Sequence, residues 1–194
     1  MDSLERNRKW FNRVAKYYDS IFSGWMKNIE QRTLQSIAIK RGSRIMDVGC
    51  GTGNFLRLLS KQNKGLELHG IDISEGMLKI ARKKTNADVK IMAAEQMKYK
   101  LHFDYVFSMH AFHHYANQSA VIKNIYRSLK RGGQLIIVDV DFGKAGNKIF
   151  RIFEPANTGM HTAKNFVDLL EKYNFTRVEK KEIGLFSVLV IGMK

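Results

Sequence analysis

Cysteine and proline are nearly missing from this chain: one of each in 194 residues. The single cysteine, Cys50, excludes an intrachain disulfide framework and fits a reducing compartment. The single proline, Pro155, falls in the one stretch, 141–161, that breaks an otherwise regular pattern. No apolar run approaches the ~20 residues that a membrane span needs. Met1 to Arg6 is charged from the start, and no apolar signal core follows. These absences predict a soluble, cytoplasmic protein. Acidic side chains are also scarce, 18 against 33 basic ones, for a net charge of +15. The excess is even along the chain: residues 1–97 hold 18 basic and 10 acidic side chains, residues 98–194 hold 15 and 8. Such a balance favours acidic partners, either nucleic acid or an anionic membrane surface. There is no basic tail, and the longest run, Arg82-Lys83-Lys84, closes a helix, where cations suit the dipole. Each cluster therefore reads first as a solvated face. Internal repeats and low-complexity segments are absent.

What is present is a globular composition, 44% hydrophobic and 26% charged, long enough for one domain with a full core. The informative stretch is Ile45-Met46-Asp47-Val48-Gly49-Cys50-Gly51-Thr52-Gly53-Asn54-Phe55. Arg44–Val48 is a short apolar run after the turn-like Arg41-Gly42-Ser43, and so a buried strand. Three glycines at alternate positions follow, a residue type free to take positive φ and to let a backbone approach a ligand. Phe55, Leu56, Leu58 and Leu59 then recur at helical spacing, and the amides at that helix start point into the turn. The next strand, Leu66–Ile71, ends at Asp72. An acid about 20 residues beyond a glycine turn is what a βαβ unit uses to hold a ribose diol. The third glycine stands at Gly53 and not at Asn54, where a dinucleotide fingerprint would put it. The unit suits a nucleoside without clearly suiting a pyrophosphate. Cys50 is either a reactive thiol or a small filler between glycines.

The remaining chain continues the alternation. Leu4, Trp10, Phe11, Val14, Ala15 and Tyr18 share a helical face, as do Thr33, Leu34, Ile37 and Ala38, predicting a helical cap over 1–40. Ser74 is an N-cap for a helix over Glu75–Lys84. Strands are predicted at Asp88–Met92, Phe103–Ser108 and Gln134–Asp139, the last a continuous apolar run expected of a strand buried on both faces. Ser119–Lys130 is an amphipathic helix with a glycine stop at Arg131-Gly132-Gly133. A helix over Thr162–Tyr173 precedes two strands, Asn174–Glu182 and Leu185–Met193, joined tightly at Gly184 and hence antiparallel. The prediction is one α/β domain: a Rossmann-like, seven-stranded, mostly parallel sheet with an antiparallel last strand and helices on both faces. Its parts are a cap (1–40), a cofactor-binding core (41–140), a substrate-side insertion (141–161) and a terminal helix with a strand pair (162–194).

D-V-G-C-G-T-G-N-F and G-I-D-I-S-E-G-M-L resemble the first two motifs of class I S-adenosylmethionine (SAM)-dependent methyltransferases. F-D-x-V-x-S before His113-His114, and L-K-R-G-G-Q-L-I-I-V-D, are similar to later segments of that family. Trp10–Asp19 resembles the F-x-x-V-A-x-x-Y-D entry segment of its ubiquinone/menaquinone C-methyltransferase branch. The resemblance implies SAM as cofactor, S-adenosylhomocysteine as product, and a site built from Tyr18, Asp47, Gly49, Cys50, Gly51, Thr52, Gly53, Asp72, Ile73, Ala93, Ala94, Glu95 and Ser108. In it, Asp47 favours the cofactor's cationic parts and Asp72 takes the ribose hydroxyls. Phe11 and Tyr18 are lid candidates, or simply pack the cap. Ala93 departs from the family, which often has an acid there to meet the adenine amine. That contact falls to backbone amides at Ala93 or Ala94, or to Glu95.

For the acceptor side, His113 and His114 are candidates for a general base or a substrate contact, against packing and capping. His110, His113 and His114 at i, i+3, i+4 also have the spacing of a metal trio, but no carboxylate or cysteine flanks them. By resemblance, the loop after the fourth strand lacks the D/N-P-P-Y of base-amine methylation, and the cysteine of cytosine C5 methylation is absent. A small-molecule acceptor remains, and the aromatic content of 141–161 points to an apolar or aromatic one, a small covering helix being the alternative. A methyltransferase acting on RNA or protein, suggested by the charge, and a non-catalytic SAM-binding protein, suggested by Ala93, are the competing expectations.

Overall fold

A computed structural model of the chain describes residues 2–62, 64–143, 146–147 and 161–194. The long apolar residues of 141–161 other than Phe142, and Pro155, lie outside this set. One sheet of seven strands organises the molecule: β1 (Arg44–Val48), β2 (Glu67–Asp72), β3 (Asp88–Ile91), β4 (Phe103–Met109), β5 (Leu129–Val140), β6 (Thr176–Gly184) and β7 (Ser187–Met193). Their order is β3-β2-β1-β4-β5-β7-β6. The pairs from β3 to β5 are parallel, and β7 inserts antiparallel between β5 and β6. The predicted fold class is the observed one.

Each central strand feeds two cores because successive side chains leave opposite faces of the sheet. Met46, Val48, Val106, Leu135 and Ile137 enter one core with Phe112, Val121, Ile125 and Phe166. Their neighbours Ile45, Tyr105, Phe107, Ile136 and Val138 enter the other with Phe55, Leu59, Leu78 and Ala81. The helices supply the covering stripes. On one face stand α4 (Gln118–Ser128) and α5 (Ala163–Lys172); on the other stand α2 (Asn54–Ser60) and α3 (Glu75–Lys84). Burying each such Leu, Ile or Phe contributes about 1.5–3 kcal/mol. The outermost strand, β6, is mostly exposed and carries Lys180 and Lys181 in its middle, charges that blunt an open sheet edge.

Three local predictions change. The two helical faces seen in 1–40 belong to one continuous helix, α1 (Ser3–Gln35), about 50 Å long at 1.5 Å per residue. Its N-terminus is capped by Asp2, which accepts from the Leu4 amide. Helix α4 ends at Ser128 and not at the glycine pair. Leu129 already pairs with Phe103, and the next residue of β4 in register, Tyr105, pairs with Gln134. Lys130–Gly133 therefore bulges from the strand. Lys130 turns back to salt-bridge Asp104 at 2.8 Å, and Gly132 takes φ 74° within the bulge. The helical pattern and the strand pattern overlap at Leu129, so the sequence alone could not place the boundary.

Candidate functional site

The carboxyl ends of β1, β2 and β4, roofed by α1, frame a cleft of about 890 Å³, its open mouth included. Its floor is the glycine turn after β1. The Gly49 and Cys50 amides both donate to the Ile71 carbonyl, at 2.8 and 3.0 Å, which hangs the turn from the end of β2. Asp72 then accepts from the Gly51 amide at 2.9 Å and from the Ser74 amide at 2.8 Å. Burial pushes the Asp72 carboxyl up, and these amides with that of Ile73 pull it partly back. A Cβ on Gly49 would lie 2.5 Å from the Ala111 Cβ, so the turn sits tightly against the loop after β4. Gly51 takes φ 51°, and a Cβ there would meet nothing within 4 Å, because the residue faces the cleft.

Two further carboxyls face this floor. Asp47 is 1% exposed, and its Oδ1 has no hydrogen-bond partner among the described residues. Burial, then the Glu30 and Asp72 carboxyls, hold it well above the ordinary range. Glu30 descends from α1, is 5% exposed, and is pushed up by burial to about 7. Sequence reasoning missed Glu30, although it stands one turn before Leu34, on the face that the periodicity turns inward. An orphaned buried carboxylate oxygen within a group of three acids is a site for a cation. Together with a glycine turn open to the cleft, these residues fit a nucleoside that carries positive charge.

Three polar side chains tie α1 down over the cleft, a role the sequence assigned to none of them, though Asp19 is the last position of the entry segment. The Asn7 amide donates to the His114 carbonyl at 2.9 Å. Asn12 Oδ1 accepts from Ser74 Oγ and from the Gly76 amide, each at 2.8 Å. Asp19 accepts from Thr52 Oγ1 at 2.7 Å, from Asn54 Nδ2 at 2.9 Å and from Lys84 Nζ. These bonds draw the Asp19 carboxyl below its usual value although burial raises it. Phe11 and Tyr18 both line the cleft beneath the helix, and the Phe11 ring meets His114 edge-on at 4.9 Å.

Of the residues predicted for the cofactor, Tyr18, Asp47, Gly49, Cys50, Gly51, Thr52, Asp72, Ile73, Ala94 and Glu95 line the cleft. Gly53, Ala93 and Ser108 stand outside that lining. A Cβ at Gly53 would press on Ala81 at 3.0–3.2 Å, so this glycine admits α3 against the turn. Ala93 is buried as the N-cap of the short turn Ala94–Gln96. Ser108 is fully buried and bonds the Tyr115 hydroxyl at 3.0 Å, which also donates to the Val48 carbonyl at 2.8 Å. Burial raises the Cys50 thiol well above its ordinary value, which favours the filler reading over the reactive one.

The histidines divide. His113 lies outside the cleft lining: its Nδ1 pairs with buried Asp139 at 2.6 Å, and its amide bonds the same carboxylate at 3.1 Å. Burial would raise Asp139, but the His113 charge and hydrogen bond outweigh it and leave the carboxyl lowered. His114 lines the cleft. So does His110, which the sequence offered only as part of a metal trio. It has φ 51°, is 8% exposed, and neither ring nitrogen has a hydrogen-bond partner among the described residues. Burial lowers its pKa to about 4, which leaves the imidazole neutral at pH 7. A buried, unpaired polar ring on strained backbone is the kind of local cost that proteins carry at functional sites. The His113 and His114 rings meet at 3.9 Å, but the nitrogens of the three imidazoles do not converge as one donor set. Among the described residues the donor set that does is Glu67, His69 and His102, at the amino end of β2, where Arg44 pairs with Glu67 at 2.7 Å.

A parallel sheet with a topological switch beside β1, and an acid-rich glycine cleft at its carboxyl edge, define a class: the Rossmann-like SAM-dependent methyltransferases. Comparison with known proteins agrees. Residues 46–137 match the family described as "Methyltransferase domain". A methyltransferase of Staphylococcus carnosus is 32% identical over 152 residues, covering 73% of this chain and 70% of that one. The demethylmenaquinone methyltransferase of Listeria monocytogenes is 30% identical over 148 residues, 70% of this chain and 62% of that one. Relatives from Methanocaldococcus jannaschii and Bacillus subtilis are spanned over 66% and 64% of their length. In three dimensions the chain superposes on a Haloferax volcanii methyltransferase, solved in complex with the Trm112 methyltransferase activator, with a TM-score of 0.84. That match is at 18% identity and covers 94% of this chain and 96% of that one. The chain belongs to the methyltransferase domain family, and SAM is the cofactor of that class.

Proposed function

We propose that the chain acts as one domain, residues 1–194, that transfers a methyl group from SAM to a small-molecule acceptor. When bound, SAM supplies an electrophilic methyl on a sulfonium centre. The observation that carries the reading is the cleft in which Glu30, Asp47 and Asp72 gather around a glycine turn. Asp72, with lone pairs left beyond its bonds to backbone amides, takes the ribose hydroxyls. Asp47 and Glu30 hold the positive end. Gly51 leaves room for the ligand against the backbone. Met92, Ala94 and Glu95 form the adenine wall in place of the family's acid. Asn7, Asn12 and Asp19 keep α1 closed over the bound molecule and water out of the cleft.

The acceptor lies between His110, His114 and the rings of Phe11 and Tyr18. His110 is the group that meets the reacting atom. Its neutral ring offers one donor and one acceptor nitrogen, which fits a protic oxygen, nitrogen or activated ring carbon better than a charged group. His113 serves by fixing the loop through Asp139 and does not touch the acceptor. The apolar neighbours Met26, Met109 and Ala111 favour a lipophilic body. The relation to a demethylmenaquinone methyltransferase supports the same class. A second reading, in which the acceptor is RNA or protein, rests on the +15 charge. The test is methyl transfer from labelled SAM to quinol-like and phenolic acceptors, to bulk RNA and to protein, by wild type and His110→Phe. Labelled small molecules with wild type, and none with the variant, are expected. Label found only in RNA or protein would overturn the reading.

A further inference from the structure

The roof of the cleft has an outer face. Tyr17, Ile21 and Trp25 follow at four-residue intervals along α1, forming a single stripe on a helix of 3.6 residues per turn. They are 57%, 65% and 41% exposed, and Phe22 beside them is 39% exposed. One turn beyond Trp25, Ile29 packs so closely on the β6–β7 turn that a Cβ on Gly184 would lie 2.2 Å from its Cδ1. Arg32 also reaches the Ile183 carbonyl there. That turn presents Leu185 and Phe186, 73% and 51% exposed, so the apolar surface runs on from the helix. Large aliphatic and aromatic side chains exposed together are uncommon on a monomeric surface and mark a place of contact.

Along α1 the charges around the stripe are of one sign, while Asp141 and Glu182 stand beside Phe186 at its far end. Exposed Arg6, Arg13 and Lys16 flank it, and exposed Lys27 stands further round the same helix. From Arg6 to Ile29 the only carboxylate is Asp19, and that one is turned inward onto Thr52, Asn54 and Lys84. No helix among the described residues is long and apolar enough to cross a membrane. A helix that is basic, amphipathic and aromatic, with too little apolar length to span, suits the plane of a bilayer surface.

We propose that the outer face of α1, together with Leu185 and Phe186, docks on an anionic lipid surface. Nucleic acid fits the cations but not the exposed Ile21 and Leu185, since bases stack on rings and gain little from branched aliphatic chains. A second copy of the chain fits the apolar stripe but would bring two rows of cations together. Lipid with acidic headgroups satisfies both. Trp25 meets His110 at 4.8 Å, so docking places the bilayer beside the cleft. On the proposed methyl-transfer reading, that is the route a lipophilic acceptor would take.

The chain's only two tryptophans, Trp10 and Trp25, are both on α1, so their fluorescence reports on this face directly. The experiment is co-sedimentation and tryptophan emission of the full chain with vesicles of phosphatidylcholine alone, or with about one third phosphatidylglycerol. Roughly tenfold or more stronger partition onto the anionic vesicles, a blue-shifted emission, and weakening by salt are expected. Ile21→Glu and, separately, the charge reversal of Lys16 and Lys27 to Glu should each lower partition by about tenfold. Both leave unfolding temperature and S-adenosylhomocysteine binding unchanged, which separates this test from that of the cofactor site. Absence of vesicle binding by folded wild type overturns the proposal. So does vesicle binding that neither variant weakens. Saturable RNA binding, or self-association abolished by Ile21→Glu, in the absence of vesicle binding, would assign the face to those partners instead.

Discussion

Replacing Glu30 by Gln separates the two jobs that its carboxyl does. In the folded chain burial lifts this group from 4.5 to about 7. A group with a raised folded-state pKa binds its proton more tightly folded than unfolded. Its stabilising share is complete below about 4.5, is lost progressively as pH rises, and is gone above about 7. At 1.36 kcal/mol per pKa unit, the ionised carboxyl costs the folded state about 3 kcal/mol at pH 8. Gln has the same shape and no charge to bury. Thermal unfolding followed by circular dichroism should show the variant melting close to wild type at pH 5. By pH 8 it should melt about 6–12 °C higher, at roughly 2–4 °C per kcal/mol for a chain of this size. The gain at high pH is larger if Asp47 also relaxes, because the Glu30 charge is one of the causes of its raised pKa. The same change removes a negative charge from the cleft. SAM carries a sulfonium charge that S-adenosylhomocysteine lacks, so SAM affinity should fall about tenfold relative to the product. For wild type, SAM affinity should climb between pH 6 and 8 while that of the product changes little. A variant that gains no stability between pH 5 and 8, or loses both ligands equally, would refute the placement of an acid at this point.

His110→Phe should leave S-adenosylhomocysteine binding intact and raise stability by about 1 kcal/mol, because an unpaired buried imidazole is removed. Denaturant unfolding and calorimetry check the two halves. Gly51→Ala should cost about 1–2 kcal/mol from its φ of 51° and, by filling the cleft floor, weaken cofactor binding more than tenfold. Equilibrium unfolding and a ligand titration measure these separately. Asp139→Asn breaks the buried pair with His113 and should destabilise the chain by about 3 kcal/mol. The lowered Asp139 carboxyl contributes stability that is present above 3.8 and lost as pH falls through its folded value. The wild-type advantage over this variant should therefore shrink on the acid side in acid unfolding curves.

The sheet was legible because strands buried on both faces are largely apolar, as Leu135–Val138 is throughout and Arg44–Val48 is at Ile45, Met46 and Val48. The floor of the cleft was legible because a glycine turn followed by an acid at the end of the next strand marks a βαβ unit, and Gly49, Gly51 and Asp72 line one cleft. The cap was legible as helix but not in its length: Ile21, Trp25 and Ile29 carry a four-residue spacing through 19–32, but Ser23 and Gly24 interrupt it and nothing there marks the two end faces as one helix. Boundaries failed where two patterns share a residue, as at Leu129. The latch roles of Asn7, Asn12 and Asp19 carry no local signal, although Asp19 is a position of the entry segment, for their partners lie 33 to 107 positions away. The surroundings of the histidines were hidden for a similar reason. Sequence set His113 and His114 first as neighbours in a family-like segment, but Asp139, 26 positions on, claims His113. The orphaned nitrogens of His110 are visible only once the loop is folded.

The measurement that most directly tests the account is calorimetric titration of the full chain with SAM, S-adenosylhomocysteine and NAD, beside Asp72→Ala. The account predicts saturable binding of SAM and its product, loss of about tenfold or more in the variant, and no binding of NAD. Failure of well-folded wild type to bind SAM or its product, or binding of NAD in their place, would contradict it.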